Sequence, residues 1–383
     1  MSCDGDAPPQ IPSRTLRAFS APASALQNGH AGFVFSCSRA ADKLSLHDTN
    51  SGDRIISLDA PAQRPSRIAV SADGVKCAFA TATGAVYIWD VLYPTSMESF
   101  RPDEDNSSPV TDLAWHPRGH VLAVATEAGN IYLWDHVVGA LLFPLPAHTG
   151  SISAVRWTAH GRLLVTVGAS DTLLRVWNPR NVNNLADVSA SSEHTTPAKW
   201  HVGGITCLDT LQDMSRVAIT GAPDGSVLLS VLKPESQCGV FASMNSHDAP
   251  VHCVRFAPIG SPRPLRSASA ADDGSIHLFD MERRLPMGKF SHANKPVVQL
   301  EFSHHADVLF SAAGDTVIAW DARVAPEEEP PITFGAHQHA VNSFALVNSG
   351  ANLVTACEDG MLRTYDMRYP SGEPPPLPEI KSD

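Results

Sequence analysis

The chain has 383 residues, 43% of them apolar, and its 40 Asp and Glu outnumber 28 Lys and Arg for a formal charge of −12. That balance argues against direct nucleic-acid binding and against an anionic membrane, since both need a basic surface. It suits a basic protein partner. Seven cysteines, an odd number with no Cys-x-x-Cys spacing, read as reduced thiols of the cytosol or nucleus rather than a disulfide framework or zinc site.

Residues 1–12 are polar and contain proline, so a disordered tail is expected there, and Met1 to Arg14 lacks the apolar core of a secretory signal. No apolar run approaches the roughly 18 residues of a membrane span. From there an aromatic-Asp pair recurs after short alternating apolar runs. In chain order the slots are His47-Asp48, Trp89-Asp90, Trp134-Asp135, Trp177-Asn178, Ser230-Val231, Phe279-Asp280, Trp320-Asp321 and Tyr365-Asp366. His47-Asp48 and Ser230-Val231 are the weak members. Successive slots lie 42, 45, 43, 53, 49, 41 and 45 residues apart. A period of about 40–45 residues marks a four-stranded propeller blade.

The aromatic-Asp pair ends the third strand of each unit, as in Val86-Tyr87-Ile88-Trp89 and Ile131-Tyr132-Leu133-Trp134. The innermost strands share a second pattern, as in Val110–Trp115, Ile152–Trp157, Val251–Phe256 and Val297–Phe302. Alternation sends every second side chain between neighbouring sheets. Asp224-Gly225, Asp273-Gly274 and Asp359-Gly360 read as hairpins between second and third strands, with Gly supplying the positive φ. Asn181 through Trp200 reads as an overlong polar connection. Unit five has Ser230 in its aromatic slot, which keeps seven blades open as an alternative to eight.

After Tyr365-Asp366 the last unit needs an outer strand, but Met367-Arg368-Tyr369-Pro370 and Pro374-Pro375-Pro376 cannot supply one, since proline cannot join a ladder. Thr15-Leu16-Arg17-Ala18-Phe19 has no blade of its own, so it is expected to close the ring as the outer strand of blade eight. The reading is an all-β, eight-bladed propeller over residues 13–370, with a disordered proline-rich tail at 371–383.

Several units also carry His before the first strand, Ser or Thr on the second, Asp at the hairpin and an aromatic on the third. These are His247, Ser269, Asp273 and Phe279 in unit six, and His337, Thr355, Asp359 and Tyr365 in unit eight. Unit seven has His292, Ser311, Asp315 and Trp320 with a hairpin one residue shorter, and unit five has His201, Thr220 and Asp224. A hydrolase triad uses the same residue types, but a catalytic site occurs once and this set repeats. The expected role is structural: Asp accepts from His, and His is tied to Ser or Thr. The recurrence in register resembles the WD-repeat family over residues 15 to 368.

No phosphate-cradling Gly-rich loop is present. His304-His305 and His337-Gln338-His339 read as turn and scaffold residues rather than metal ligands, so no metal and no cofactor is expected. Trp115 and Trp157 read as core residues. The loops before first strands and the second-to-third hairpins share one face of a propeller, the top. Asp103, Glu104, Asp105, Glu127, Asp248, Asp272 and Glu358 fall there outside the repeated polar sets and form the candidate partner-binding surface, while Lys295 is the clearest cation. A ring of carboxylates would attract a Lys/Arg-rich segment.

Val297–Phe302, Ala319-Trp320-Asp321-Ala322-Arg323, Val341–Leu346 and Trp115-His116-Pro117 resemble the angio-associated migratory cell protein family. That family includes the fungal dedicated chaperone of a basic large-subunit ribosomal protein. The resemblance implies eight blades and an acidic top face that holds the basic N-terminal segment of a client. Trp320-Asp321-Ala322-Arg323 and Tyr365-Asp366-Met367-Arg368 also match the aromatic-Asp-x-Arg pattern of substrate receptors for cullin-type ubiquitin ligases, the alternative reading, alongside a scaffold in some other multiprotein complex. Both make the chain a non-enzymatic scaffold. The expectation is a monomeric, cytoplasmic protein, with the nucleus as a second location.

Overall fold

The computed structural model describes residues 14–17, 25–28, 33–38, 43–48, 54–59, 65–90, 93, 97–103, 108–118, 120–178, 184–188, 201–211, 216–232, 239–244, 247–258, 265–292, 295–303, 307–323, 331–335, 337–347 and 350–367. Among them, 32 strands form eight four-stranded sheets, the blades of a propeller. Blades one to seven each use four consecutive strands. Blade eight has three consecutive strands, Val341–Val347, Asn352–Cys357 and Met361–Asp366, and takes its outer strand from Arg14–Arg17. That strand pairs antiparallel with the third, from Arg14 opposite Thr364 to Arg17 opposite Met361. The ring therefore closes as the sequence implies. The strand begins one residue before Thr15, and Ala18 and Phe19 lie outside the described residues. So do both expected tails and Arg368 to Pro370.

Two sequence expectations change. Asn184–Val188 lies inside the stretch read as a polar connection, yet it is the outer strand of blade four, paired with Leu174–Trp177. A short strand with Asn, Ala and Asp has little apolar periodicity, and as an outer strand it needs little. Blade five is complete, with strands Cys207–Thr210, Val217–Gly221, Val227–Val231 and Gly239–Ser243, which removes the seven-bladed alternative. Ser230 is buried in the slot that holds an aromatic elsewhere.

Every sheet is apolar on both faces, and the core is divided into eight seams, one between each pair of neighbouring blades. Between blades two and three, Ala78, Val86 and Ile88 meet Leu113, Trp115 and Leu122. Between eight and one, Val354, Ala356 and Leu362 meet Val34. Small residues on second strands, such as Ala78 and Ala80 or Ala268 and Ala270, let adjacent sheets approach while large ones fill the seam.

Hydrogen bonds between neighbouring inner strands add direction to these seams. The Trp115 indole donates to Ala69 O at 3.1 Å, and the Trp157 indole donates to Ala114 O at 3.0 Å. Thr210 Oγ1 donates to Trp157 O at 3.0 Å. Asp112 Oδ2 accepts Val155 N at 3.0 Å and Arg156 Nη1 at 2.6 Å, and Asp209 Oδ2 accepts Phe256 N at 2.8 Å. Gln299 brackets Phe344, accepting its N–H at 3.0 Å and donating to its carbonyl at 2.8 Å. These bonds fix how far each blade is rotated against the next, and that sets where the loops on both faces stand.

The strand Arg14–Arg17 is the latch of this ring, and a net contribution of about 0.5–1.5 kcal/mol per ladder bond makes its removal measurable. Deleting residues 1–17 should cost about 2–6 kcal/mol on that basis and leave the Met361–Asp366 edge unpaired, a template for association. Urea unfolding and light scattering of the truncated chain check both. Unchanged unfolding would show that closure does not depend on this strand.

Candidate functional site

The repeated polar sets stand at the top of the blades, and each version is dictated by hairpin sequence. Blade four has the complete arrangement. The Trp177 indole donates to Thr166 Oγ1 at 3.0 Å, and Thr166 lies 2.9 Å from His148 Nε2. His148 Nδ1 lies 2.8 Å from Asp171 Oδ2. A carboxylate only accepts, so Nδ1 donates and Nε2 accepts the threonine proton. Fixed-offset reading of the sequence misses this set, because the blade-four hairpin is one residue longer: Asp171 is five residues after Thr166, where Asp273 is four after Ser269. Thr172 takes the left-handed position of that turn, with φ 56°.

In blades five and six the carboxylate does not reach the imidazole directly, as the sequence reading had it. Ser226 and Ser275, each following the hairpin Asp-Gly, stand between them. His247 Nδ1 donates to Ser275 Oγ at 2.7 Å, Ser275 donates to Asp273 Oδ1 at 2.6 Å, and Ser269 donates to His247 Nε2 at 2.7 Å. Blade five repeats this with Thr220, His201, Ser226 and Asp224 at 2.8, 2.6 and 2.5 Å. Phe279 has no polar atom to contribute; instead the His277 ring stacks on His247, centroids 4.2 Å apart.

Blade eight inserts an arginine. Arg363 donates to Asp359 Oδ2 at 2.6 Å and to His337 Nδ1 at 3.2 Å. Because arginine only donates, the proton of His337 sits on Nε2, 3.3 Å from both Thr355 Oγ1 and Tyr365 OH. In blade seven the shorter hairpin turns Asp315 away from His292 to Lys295, 2.6 Å from its Nζ. His292 keeps Ser311 at 2.6 Å, and the Trp320 indole donates to the same hydroxyl at 2.7 Å. In blade one His47 occupies the aromatic slot and lies 2.9 Å from Ser36. Burial lowers His201, His292 and His337 to about 4 and His247 to about 3. All four are neutral at pH 7.

That neutrality governs the charge of the top face. Asp171, Asp315 and Asp359 are each compensated by a cation: Arg175 at 3.1 Å, Lys295 at 2.6 Å and Arg363 at 2.6 Å. Asp224 is hydrogen-bonded to Ser226 and to Val202 N, but these partners carry no charge, so its negative charge remains. Asp273 has the Lys289 ammonium in its field. Three further carboxylates share one backbone position, the first hairpin residue. The N–H of Glu127 bonds Pro109 O, that of Asp272 bonds Pro250 O, and that of Glu358 bonds Ala340 O, at 2.9, 3.0 and 3.0 Å.

Of the sequence candidates, Glu127, Asp248 and Glu358 are exposed. Asp272 lies 2.8 Å from His252 Nε2. Asp103 sits by Tyr132, whose hydroxyl is raised by burial and then by that carboxylate. Glu104 and Asp105 lie outside the described residues. Trp115 and Trp157 are buried, as read. On the opposite face Arg323 is exposed and bidentate to Asp321, its Nε 2.8 Å from both carboxylate oxygens. Arg368 lies outside the described residues.

Two family models match this chain: the anaphase-promoting complex subunit 4 WD40 domain over residues 78–160, and the WD domain, G-beta repeat, over 328–366. The chain is a WD-repeat β-propeller. It is 23% identical over 314 residues to the angio-associated migratory cell protein of Canis lupus familiaris, covering 78% of this chain and 67% of the relative. It is 23% identical over 308 residues to the denticleless protein homolog of Gallus gallus, covering 70% of this chain and 42% of the relative. Among solved structures, Chaetomium thermophilum Sqt1 bound to the N-terminus of the ribosomal protein L10 superposes with a TM-score of 0.78 at 18% identity, over 93% of this chain and 100% of that one.

The buried imidazoles of this WD-repeat propeller make its stability pH-dependent. Their folded values lie below the usual 6.5. The unfolded chain therefore binds protons first as pH falls, and stability is full above about pH 6.5 and lost progressively towards pH 4. Each histidine adds a slope of up to about 1.4 kcal/mol per pH unit. Melting temperature at pH 7.5, 6 and 5 measures this, and a flat profile would mean that these imidazoles protonate freely in the folded ring.

Gly168 packs against the blade-four set so closely that a Cβ there would overlap Asp171 Oδ1 and crowd His148 Nδ1. Gly168→Ala should destabilise by about 1–3 kcal/mol, read as a lower urea midpoint. Wild-type stability in that variant would show that blade four does not rely on the His148–Asp171 bond.

Proposed function

We propose that this WD-repeat scaffold captures a Lys/Arg-rich protein segment on its top face and acts as the dedicated chaperone of a basic large-subunit ribosomal protein during ribosome assembly, in the cytoplasm and the nucleus. The reading rests on the carboxylates that have no cationic partner among the described residues. Glu127, Asp248 and Glu358 are exposed, and the charge of Asp224 is hydrogen-bonded but not neutralised. Lys295, the clearest top-face cation in the sequence, is consumed by Asp315. Asp103 and Asp272 extend the same surface in this proposal, and Glu104 and Asp105 lie outside the described residues. Carboxylates spread round a central opening add their fields, so capture is fast and depends on salt. The Sqt1 structure, bound to the N-terminus of a ribosomal protein, lends the client class.

The test is fluorescence anisotropy with a labelled Lys/Arg-rich peptide from the N-terminus of a large-subunit ribosomal protein. Wild type should bind, and binding should weaken steeply between low and high salt. Glu127→Lys, Asp248→Lys and Glu358→Lys combined should abolish capture, with the melting curve unchanged. Equal binding by wild type and the triple variant would sink the acidic-face mechanism. The ligase-receptor reading is favoured by one observation, the exposed Arg323 on the bottom rim of blade seven. Under it, Arg323→Ala would lose a co-purifying cullin adaptor and leave the peptide binding intact.

A further inference from the structure

The opposite face carries a second surface, at blades three and four, with two exposed arginines. Two loops there join first to second strands: His116 to His120 in blade three and Thr158 to Leu163 in blade four. They are tied together through one imidazole. His116 Nε2 donates to Gly161 O at 3.1 Å, and its Nδ1 accepts Arg118 N at 3.1 Å. The ring also packs edge-on against Trp157, centroids 4.8 Å apart. Gly161 has φ 64°, and a Cβ on it would overlap the His116 ring, so only glycine fits. The result is a tied pair of loops in which Arg118 and Arg162, each within two residues of the His116–Gly161 bond, are exposed. Neither guanidinium has a carboxylate partner among the described residues.

An apolar patch is joined to the blade-three loop. His136 N bonds His120 O at 3.0 Å, which joins the third-to-fourth turn of blade three to the first loop. Asp135 Oδ1 accepts the N–H groups of Val137 and Val138 at 2.9 and 3.2 Å. With its carboxylate turned inward as a cap, this turn presents both valines to water, each 69% exposed. Leu141 and Leu142 follow on the outer strand at 37% and 43%. The Glu98 carboxylate, 3.1 Å from His136 Nδ1, brings the exposed Met97 of blade two alongside. Exposed apolar side chains scattered singly are ordinary, but a cluster held out by a capped turn and bonded to a loop with an exposed arginine has the character of a docking surface.

We propose that this surface binds an acidic protein segment carrying apolar side chains. Charge decides the sign of the partner: two exposed guanidiniums without a carboxylate partner among the described residues stand out on a chain of net charge −12. The apolar patch decides its class. A nucleic acid would need free stacking rings; Trp115 and Trp157 are buried, and the half-buried Trp134 is stacked on Phe100 with centroids 4.0 Å apart. The inference is independent of the top face, so the scaffold can hold a basic segment on one side and an acidic one on the other.

The probe is a fluorescein-labelled peptide of alternating Glu and Leu, followed by anisotropy against the full chain. Controls replace its Leu with Ser or its Glu with Lys, and poly(U) serves as the nucleic-acid competitor. Binding of the Glu-Leu peptide is expected, at least tenfold tighter than the Glu-Ser control. Arg118→Glu with Arg162→Glu, and separately Val137→Ser with Val138→Ser, should each weaken it at least tenfold. The top-face variant, Glu127→Lys with Asp248→Lys and Glu358→Lys, should not weaken it. If the Glu variants melt early, Arg118→Gln with Arg162→Gln makes the same test. No binding, equal binding by the variants, equal binding of the Ser control, or displacement by poly(U) at lower concentration than by unlabelled peptide would each overturn the proposal.

Discussion

A four-stranded sheet whose two faces are both apolar cannot stand alone in water. In this chain every blade has that character, and every seam is filled from both sides, from Phe35 against Trp89 to Phe344 against Phe310. Such sheets are stable only when each has two neighbours, and a ring is the arrangement that gives every blade two. The hydrophobic term supplies the drive but no angle. Directed bonds from Trp115, Trp157, Asp112, Asp209 and Gln299 to adjacent inner strands supply the angle. The loops on either face inherit their positions from that combination.

The polar sets above the blades satisfy one requirement in several ways. An imidazole buried at the top of a blade needs a partner on each nitrogen. Blade four meets it with a carboxylate, blades five and six with a serine relayed to a carboxylate, and blade eight with an arginine that reverses the tautomer. The electrostatic outcomes differ although the scaffold role does not. Where arginine or lysine intervenes, the aspartate is neutralised. Where serine intervenes, the carboxylate keeps its charge near the surface. The loop anchors and the surface potential are thus set by the same few hairpin residues.

Much of this was legible beforehand because the period is a property of the backbone. Eight slots at near-even spacing, hairpin Asp-Gly pairs and prolines after Tyr365 were enough for blade number and ring closure. Legibility failed where the structure depends on offsets of one residue or on three-dimensional relay. The blade-four set was hidden by one extra hairpin residue before Asp171. Nothing in the sequence marks Ser226, Ser275 and Arg363 as standing between Asp and His. Asn184–Val188 lacked the apolar alternation of a strand because an outer strand has few seam contacts to make. Of the acidic candidates, Glu127, Asp248 and Glu358 emerge exposed as read, while Asp272 and Asp103 already have neighbours.

The pairing of Arg14–Arg17 with Met361–Asp366 has a consequence for biogenesis. Within the ring, the first strand synthesised is needed last, because its partner is the last strand of the ring. Until that partner is made it waits single, while seven blades assemble behind it. Completion is then a single annealing event between two distant segments, a loop closure spanning almost the whole ring. Nascent protein therefore passes through a long open interval, and any factor that shelters a lone strand would act during that interval.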